Sequence, residues 1–226
     1  MRYMNEHIYH IYNRGVEKRL IFQTTSNYLR FMINLYEFND TAPARNLGYH
    51  AARVPIEVRL QYPRKRQLVH ILAYCLMPNH FHLMVQSRDD DGITEFMRKL
   101  GTGYTNYFNI KYDRVGPLFQ GKFKSILLEQ DAHLTHLPHY IHLNPLDLSM
   151  PKWREHRIQD VQKALNFLRA YRWSSFPDYT GKKNFPSVID RKFLAEYIGT
   201  PKAFLAGTKE WIHDTQFDLV QKITME

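Results

Sequence analysis

The segment that decides the fold is Leu68–Gln86, with the sequence LVHILAYCLMPNHFHLMVQ. Its two halves, residues 68–76 and 80–86, are short runs dominated by apolar side chains, and Met77-Pro78-Asn79 separates them. Apolar runs of this length on either side of a turn signal are typical of paired strands. The segment therefore predicts a β-hairpin.

Strand and helix signals alternate on both sides of this hairpin. The predicted elements outside it are a strand at 6–13, a helix capped by Ser26 or Asn27 that runs to about residue 38, a helix at 94–112, a strand at 123–128 and a helix that starts at Asp131 and stops before Pro145. This order predicts an α+β fold, a ferredoxin-like split βαβ unit with an antiparallel sheet and one appended helix.

The sequence divides into a main domain and an extension. Residues 1–148 hold the predicted ferredoxin-like domain, and residues 149–226 form a helical C-terminal extension with candidate helices at 159–168, 190–198 and 202–213. Within the domain, residues 39–67 lack clean periodicity and carry several prolines, so we interpret them as an inserted loop with a short strand at 56–60.

Composition points to a soluble protein with an anionic partner. The 226 residues include 31 Lys and Arg against 22 Asp and Glu, a formal net charge of +9, and nucleic acid is the commonest partner of so basic a chain. The single cysteine, Cys75, excludes an intrachain disulfide, and no segment reaches the ~20 apolar residues of a membrane-spanning helix. We expect a cytoplasmic protein that does not bind membranes, and the sequence leaves open whether it is a monomer or a homodimer.

Four polar side chains form a candidate catalytic site. His80 and His82 lie two residues apart on a predicted strand, so their imidazoles point to the same face and can share a metal ion. Tyr140 and Asn144 lie one helical turn apart, and an amide oxygen is a suitable ligand for a hard divalent ion. If that helix packs on the histidine face, Tyr140 can serve as a nucleophile beside a bound phosphate. On the spacing alone, a histidine pair that binds no metal is the commoner outcome.

Basic residues near these motifs are candidate phosphate contacts. The predicted DNA-binding residues are Arg98, Lys99, Arg114, Lys122 and Lys124, with a second group at Arg64, Lys65 and Arg66. His136 lies four residues before Tyr140 and could hydrogen-bond it or touch DNA, whereas the other histidines of that helix fan around it and cannot share one ion.

Five blocks of sequence resemble a known family. They are Tyr9–Gly15, Leu76–Val85, Gly116–Ser125, Tyr140–Pro145 and Tyr171–Ser175. Together and in this order they are similar to the single-tyrosine HUH transposases, which are IS200-like, and most of all to the REP-associated tyrosine transposases.

The resemblance implies a metal-dependent enzyme that nicks and rejoins single-stranded DNA near a hairpin through a 5′-phosphotyrosine intermediate. It implies Tyr140 as the nucleophile, His80, His82 and Asn144 as metal ligands, and Mg²⁺ or Mn²⁺ as the cofactor. The expected partner is single-stranded or hairpin DNA. Two other functions stay open: a domesticated hairpin-binding protein without activity, and a replication or plasmid-transfer initiator.

Two features depart from the family pattern. Pro138 lies inside the predicted nucleophile helix, so that helix either begins later than Asp131 or bends. After Asn144-Pro145, where the resemblance implies a positive charge, the chain has Asp147. This negative charge puts a phosphate contact at that position in doubt.

Overall fold

The computed structural model describes residues 7–43, 54–129, 131–155 and 158–213. Its sheet has four strands, β1 (Ile8–Arg14), β2 (Val69–Met77), β3 (His80–Ser87) and β4 (Lys124–Leu127), in the order β2-β3-β1-β4. Every neighbouring pair is antiparallel. The α+β fold with a split βαβ order and the hairpin of β2 and β3 are both confirmed.

Helices pack on both faces of this sheet. Within residues 1–148 the described α-helices are α1 (Thr25–Glu37), α2 (Ile56–Arg59), α3 (Gly92–Lys111) and α4 (Asp131–Leu143). The later ones are α5 (Val161–Ala170), α6 (Phe176–Tyr179), α7 (Arg191–Ile198) and α8 (Pro201–His213), and short 3-10 turns cover Asn144–Leu148 and Pro151–Glu155. α4 runs through Pro138 from Asp131, so the expectation of a later start is wrong.

Two local predictions differ from the structure. The strand at 56–60 is instead the helical turn α2, which follows Pro55 and carries Arg59, a side chain only 1% exposed. Arg59 donates from Nε to the Glu37 carboxylate over 2.8 Å, and this buried ion pair overrides the β-propensity of Ile56 and Val58. At the start of α1 the cap is Thr24, not Ser26 or Asn27, and Asn27 completes its capping box.

The inserted loop is closed at its base by one carboxylate. Asp40 accepts backbone hydrogen bonds from Lys65 over 2.9 Å and from Arg66 over 3.1 Å. Burial acts to raise the pKa of Asp40, but these N–H groups outweigh it and hold the pKa below its usual value. Of the insertion, residues 44–53 lie outside the described part of the chain.

The outer edge of β2 is covered by the C-terminal extension. The backbone N–H of Leu76 donates to the Trp173 carbonyl over 2.8 Å, and that of Ser175 donates to the Tyr74 carbonyl over 3.0 Å. The Tyr179 hydroxyl donates to the Leu72 carbonyl. Covering an exposed strand edge prevents pairing with other chains. Residues 173–179 of the extension therefore protect the free edge of β2.

No helix among the described residues has the length and apolar character needed to cross a membrane.

Candidate active site

Strand β3 presents its two histidines on one face, as its alternation predicts. The His80 and His82 rings lie 5.0 Å apart between centroids and are nearly perpendicular. Phe81 points to the opposite face, where its ring lies 5.1 Å from that of Phe31. His82 is fully buried and His80 nearly so. The pair is thus held in a protein interior and not on an open surface.

Neighbouring side chains fix the orientation of both imidazoles. His80 Nδ1 lies 2.6 Å from Asn79 Oδ1, and the Asn79 amide nitrogen donates to the Lys18 carbonyl. Because an amide oxygen only accepts, His80 Nδ1 carries the proton, and Nε2 is the acceptor of the neutral ring. His82 Nδ1 in turn lies 3.0 Å from Nε2 of His10 on β1. Each of the two predicted ligands therefore has a polar partner at its Nδ1 atom, the arrangement typical of histidines that bind metal through Nε2.

Sequence reasoning assigned no role to His10, which the structure places inside the site. His10 is fully buried, its ring stacks on His82 at 5.2 Å, and it lies 6.2 Å from the ring of Tyr140. The signal was present in β1, where the two-residue alternation puts His10 and Tyr12 on one face. The local pattern does not reveal the strand order, and it is this order that makes β1 the neighbour of β3.

Helix α4 places Tyr140 against the histidines. The Tyr140 ring packs edge-on to His82 at 5.8 Å, and only 2% of the tyrosine is exposed. Leu137 and Ile141, both fully buried, are further apolar positions of the same helix. This helix therefore packs on the histidine face, which is the condition that the sequence argument set for a role of Tyr140.

Three histidines of α4 bind the C-terminal extension. His139 Nδ1 lies 3.0 Å from the Thr208 hydroxyl, and His142 Nε2 lies 2.7 Å from the Ser175 hydroxyl. Burial lowers the pKa of both imidazoles to about 3, so they stay neutral. His136 accepts a hydrogen bond from Trp211 Nε1 over 3.0 Å, so the structure bonds it to the extension and not, as one of its two predicted roles had it, to Tyr140. Together these bonds fix the helix that carries Tyr140.

Asn144 lies at the end of α4, with both ends of its amide engaged. Its Nδ2 donates to the Tyr140 carbonyl over 2.8 Å, and its Oδ1 accepts from Arg154 over 3.1 Å. The structure thus brings Asn144 beside Tyr140, as the spacing predicts, and its role as a metal ligand stays a prediction.

A basic pocket opens next to His80. Its volume is about 360 Å³, and its lining includes Lys122 and Lys124 together with Tyr12, Arg14 and Phe123. Lys124 pairs with Tyr12 across β4 and β1, which brings the predicted basic strand to the histidine end of the sheet. These two lysines are therefore the predicted DNA contacts that the structure places at the candidate site.

The other predicted DNA contacts do not line this pocket. Lys65, Arg66 and Lys99 gather around Asp40, where Lys99 also pairs with Glu95 over 2.9 Å. Arg64 stacks on Tyr36, Arg66 pairs with Asp89, Arg98 is exposed on α3, and Arg114 donates to Asn109. Asn39, beside Asp40, bonds Val69, so the Asp40 group lies at the open end of the hairpin, opposite the turn that precedes His80.

Three comparisons place this site in context. The family model described as Transposase IS200 like matches residues 56–144, a segment that contains His80, His82, Tyr140 and Asn144. The comparison with curated proteins gives no match. Among solved structures, a REP-associated tyrosine transposase bound to a REP hairpin is similar at 15% identity with a TM-score of 0.47, over 83% of this chain and 87% of that one.

Proposed function

We propose, from the match of residues 56–144 to the family model described as Transposase IS200 like, that this chain nicks and rejoins single-stranded DNA next to a hairpin. The observation that carries the proposal is the packing of the Tyr140 ring against His82 and His10, on the sheet face whose edge forms the basic pocket. A buried tyrosine between imidazoles and a cationic pocket suits attack on a phosphodiester.

The proposed step uses Tyr140 as a covalent nucleophile. Its hydroxyl oxygen forms a bond to the phosphorus while the bond from phosphorus to the 3′ oxygen breaks. The tyrosine proton leaves to solvent or a nearby base, and the departing 3′ oxygen takes up a proton to become a hydroxyl. The DNA is left joined to Tyr140 through a 5′ phosphate, and attack by a 3′ hydroxyl reverses the step and joins the strands. The number of phosphate ester bonds is conserved, so no nucleotide energy source is needed.

A divalent ion, Mg²⁺ or Mn²⁺, is the proposed cofactor of this site. His80 and His82 would hold it through their Nε2 atoms, both of which are buried, because their Nδ1 atoms face Asn79 and His10. Asn144 Oδ1, a carbonyl oxygen of the kind that suits both ions, is the proposed third donor. When bound, the ion would polarise a phosphoryl oxygen of the DNA.

The basic pocket would hold the DNA strand beside the site. Lys122 and Lys124 supply positive charge for backbone phosphates, and Tyr12 and Phe123 supply aromatic faces for unstacked bases. This pairing of cations with aromatic rings suits a single strand better than a duplex, whose bases are already stacked. The preference for hairpin DNA follows from the resemblance of the sequence blocks.

The test is a search for the covalent adduct. Wild-type protein, a labelled hairpin with a single-stranded flank and Mn²⁺ are incubated, and the products are separated under denaturing conditions. We expect a protein–DNA adduct with the wild type, none with Tyr140→Phe, and wild-type yield with Tyr197→Phe, which removes a hydroxyl from the outer helix α7. Hairpin binding without an adduct would identify the inactive binding protein, and an adduct with Tyr140→Phe would exclude this nucleophile.

A further inference from the structure

The negative charge that follows α4 is paired with a cation. The Asp147 carboxylate accepts from Arg154 Nε over 3.2 Å and from Arg154 Nη2 over 2.9 Å. It also accepts from the indole nitrogen of Trp153, whose side chain is buried. A carboxylate with this two-point contact holds a guanidinium in a defined orientation. Arg154 therefore neutralises the negative charge of Asp147.

The same guanidinium lies against the proposed nucleophile. Its central carbon is 5.7 Å from the centre of the Tyr140 ring, and Nη2 also donates to Asn144 Oδ1 over 3.1 Å. Arg154 is 33% exposed, whereas Tyr140 is 2% exposed. The side chain thus extends from solvent to the ring of the tyrosine.

Asp147 and Arg154 have opposite effects on a bound phosphate. A lone carboxylate near the end of α4 would repel the DNA, and the ion pair cancels that repulsion. A guanidinium additionally carries its N–H donors in a plane that matches phosphate oxygens. Orientation by Asp147 reduces the entropy lost when the guanidinium binds a phosphate.

We propose that Arg154, oriented by Asp147, contacts the phosphate that Tyr140 attacks. The inference rests on the proposed function for the identity of the attacked group, and it adds a residue outside the segment 56–144 to the site. The competing explanation is that Arg154 only stabilises the end of α4 through Asn144. The two explanations differ in whether Arg154 binds DNA.

The experiment measures binding and chemistry separately. Binding of the hairpin strand is measured by fluorescence anisotropy at several salt concentrations in the Tyr140→Phe background, which cannot form an adduct. One lost phosphate contact on a single strand should reduce the log–log salt slope by about 0.7 for Arg154→Ala combined with Asp147→Asn, which leaves no unpaired carboxylate. Arg169→Ala, which removes a cation from α5, should change the slope less because it lies outside the site. In the otherwise wild-type chain, Arg154→Ala should lower the rate of adduct formation about 10²-fold, and Arg154→Lys should lower it less.

Each outcome has one meaning. An unchanged salt slope with a slower adduct rate would show that Arg154 only supports α4 and would overturn the inference. A reduced slope in a protein that never forms an adduct would retain the phosphate contact and reject the proposed function. If Arg154→Ala is too unstable to measure, the salt slope of hairpin binding is measured for Arg154→Glu in the Tyr140→Phe background, because glutamate keeps a long polar side chain. A slope no lower than that of Arg169→Glu in the same background would reject the phosphate contact.

Discussion

The two faces of the sheet use the same strand in opposite ways. On one face Phe81 packs among Phe31 and Phe119, at ring distances of 5.1 and 5.9 Å, in an apolar layer under α1 and α3. On the other face the flanking residues His80 and His82 meet His10 and Tyr140 under α4. The strand alternation that builds the core therefore also positions the reactive side chains. We therefore expect substitutions of Phe81 to change mainly stability, and substitutions of His80 or His82 to change mainly chemistry.

The two faces also differ in what holds them together. Apolar contacts are nondirectional, so any side chains of suitable volume can fill the Phe81 layer. A buried polar group costs about 1–3 kcal/mol if it loses its partner, so the histidine face needs specific partners from distant segments. His10 lies 72 positions before His82, and Thr208 lies 69 positions after His139. This face is therefore assembled only when the whole fold, including the extension, is in place.

The largest predicted effect is on chemistry, from the histidine face. His82→Gln removes a proposed metal ligand but keeps a polar side chain of similar length beside His10. We expect the adduct rate to fall at least about 10³-fold and Mn²⁺ binding, followed by calorimetry, to be lost. The thermal midpoint should stay within a few degrees of wild type. A strong stability loss with normal Mn²⁺ affinity would show that His82 belongs to the structural layer.

The next effect is the reverse, from the apolar face. Phe81→Ala deletes a buried ring and should lower the free energy of unfolding by about 3–5 kcal/mol, measured by urea denaturation. At a temperature where the variant is still folded, it should keep Mn²⁺ affinity within about tenfold of wild type. Loss of metal binding in folded Phe81→Ala would show that the two faces are coupled through β3 and are not separable.

The apolar face could be predicted from the sequence because its signal is local. The two apolar runs in Leu68–Gln86 and the turn at Pro78 specify the hairpin within a residue or two at each end. The failures came where a tertiary contact outweighed propensity, as at Ile56–Arg59, where the buried ion pair of Arg59 and Glu37 produced a helical turn. The edge contact between Trp173 and Leu76 was missed because nothing in a loop sequence indicates which strand edge it covers.

The histidine face could be predicted only in part. His80, His82, Tyr140 and Asn144 have short spacings that place each pair on a common face. The structure packs Tyr140 against His82 and bonds Asn144 to the Tyr140 carbonyl. His10 and Arg154 were missed because their relation to the site depends on strand order and on a turn after α4. Among the candidate DNA contacts, charge alone could not separate Lys122 and Lys124 from Lys99, whose ammonium group bonds the Ala42 carbonyl.

A smaller effect is expected from the partner of His82. His10→Ala removes the hydrogen bond at His82 Nδ1 and should lower both Mn²⁺ affinity and the adduct rate by about 10- to 100-fold. His10→Gln, which can still accept from Nδ1, should recover part of the loss. The control is His70→Gln, which breaks a pair with Asp190 near the far end of β2 and should change neither quantity. Equal losses for His10→Ala and His10→Gln would show that packing, not the hydrogen bond, is what His10 provides.

The smallest predicted effect concerns the basic pocket next to His80. Lys122 and Lys124 line the pocket beside His80. Lys192 is exposed at the start of α7, two residues after Asp190, whose backbone N–H donates to the Ile71 carbonyl of β2. Each phosphate neutralised on a single strand contributes about 0.7 to the log–log salt slope of binding. Reversing both pocket lysines to Glu should therefore lower the slope by about 1.4 and weaken binding of all sequences alike, because phosphate contacts carry no sequence information. Lys192→Glu should have a much smaller effect, since charges separated from the DNA by more than about 10 Å are screened at 0.1 M salt. Equal slopes for the pocket and Lys192 variants would mean that the affinity comes from the net charge of +9 spread over the chain, and that the polar face has no dedicated entrance for DNA.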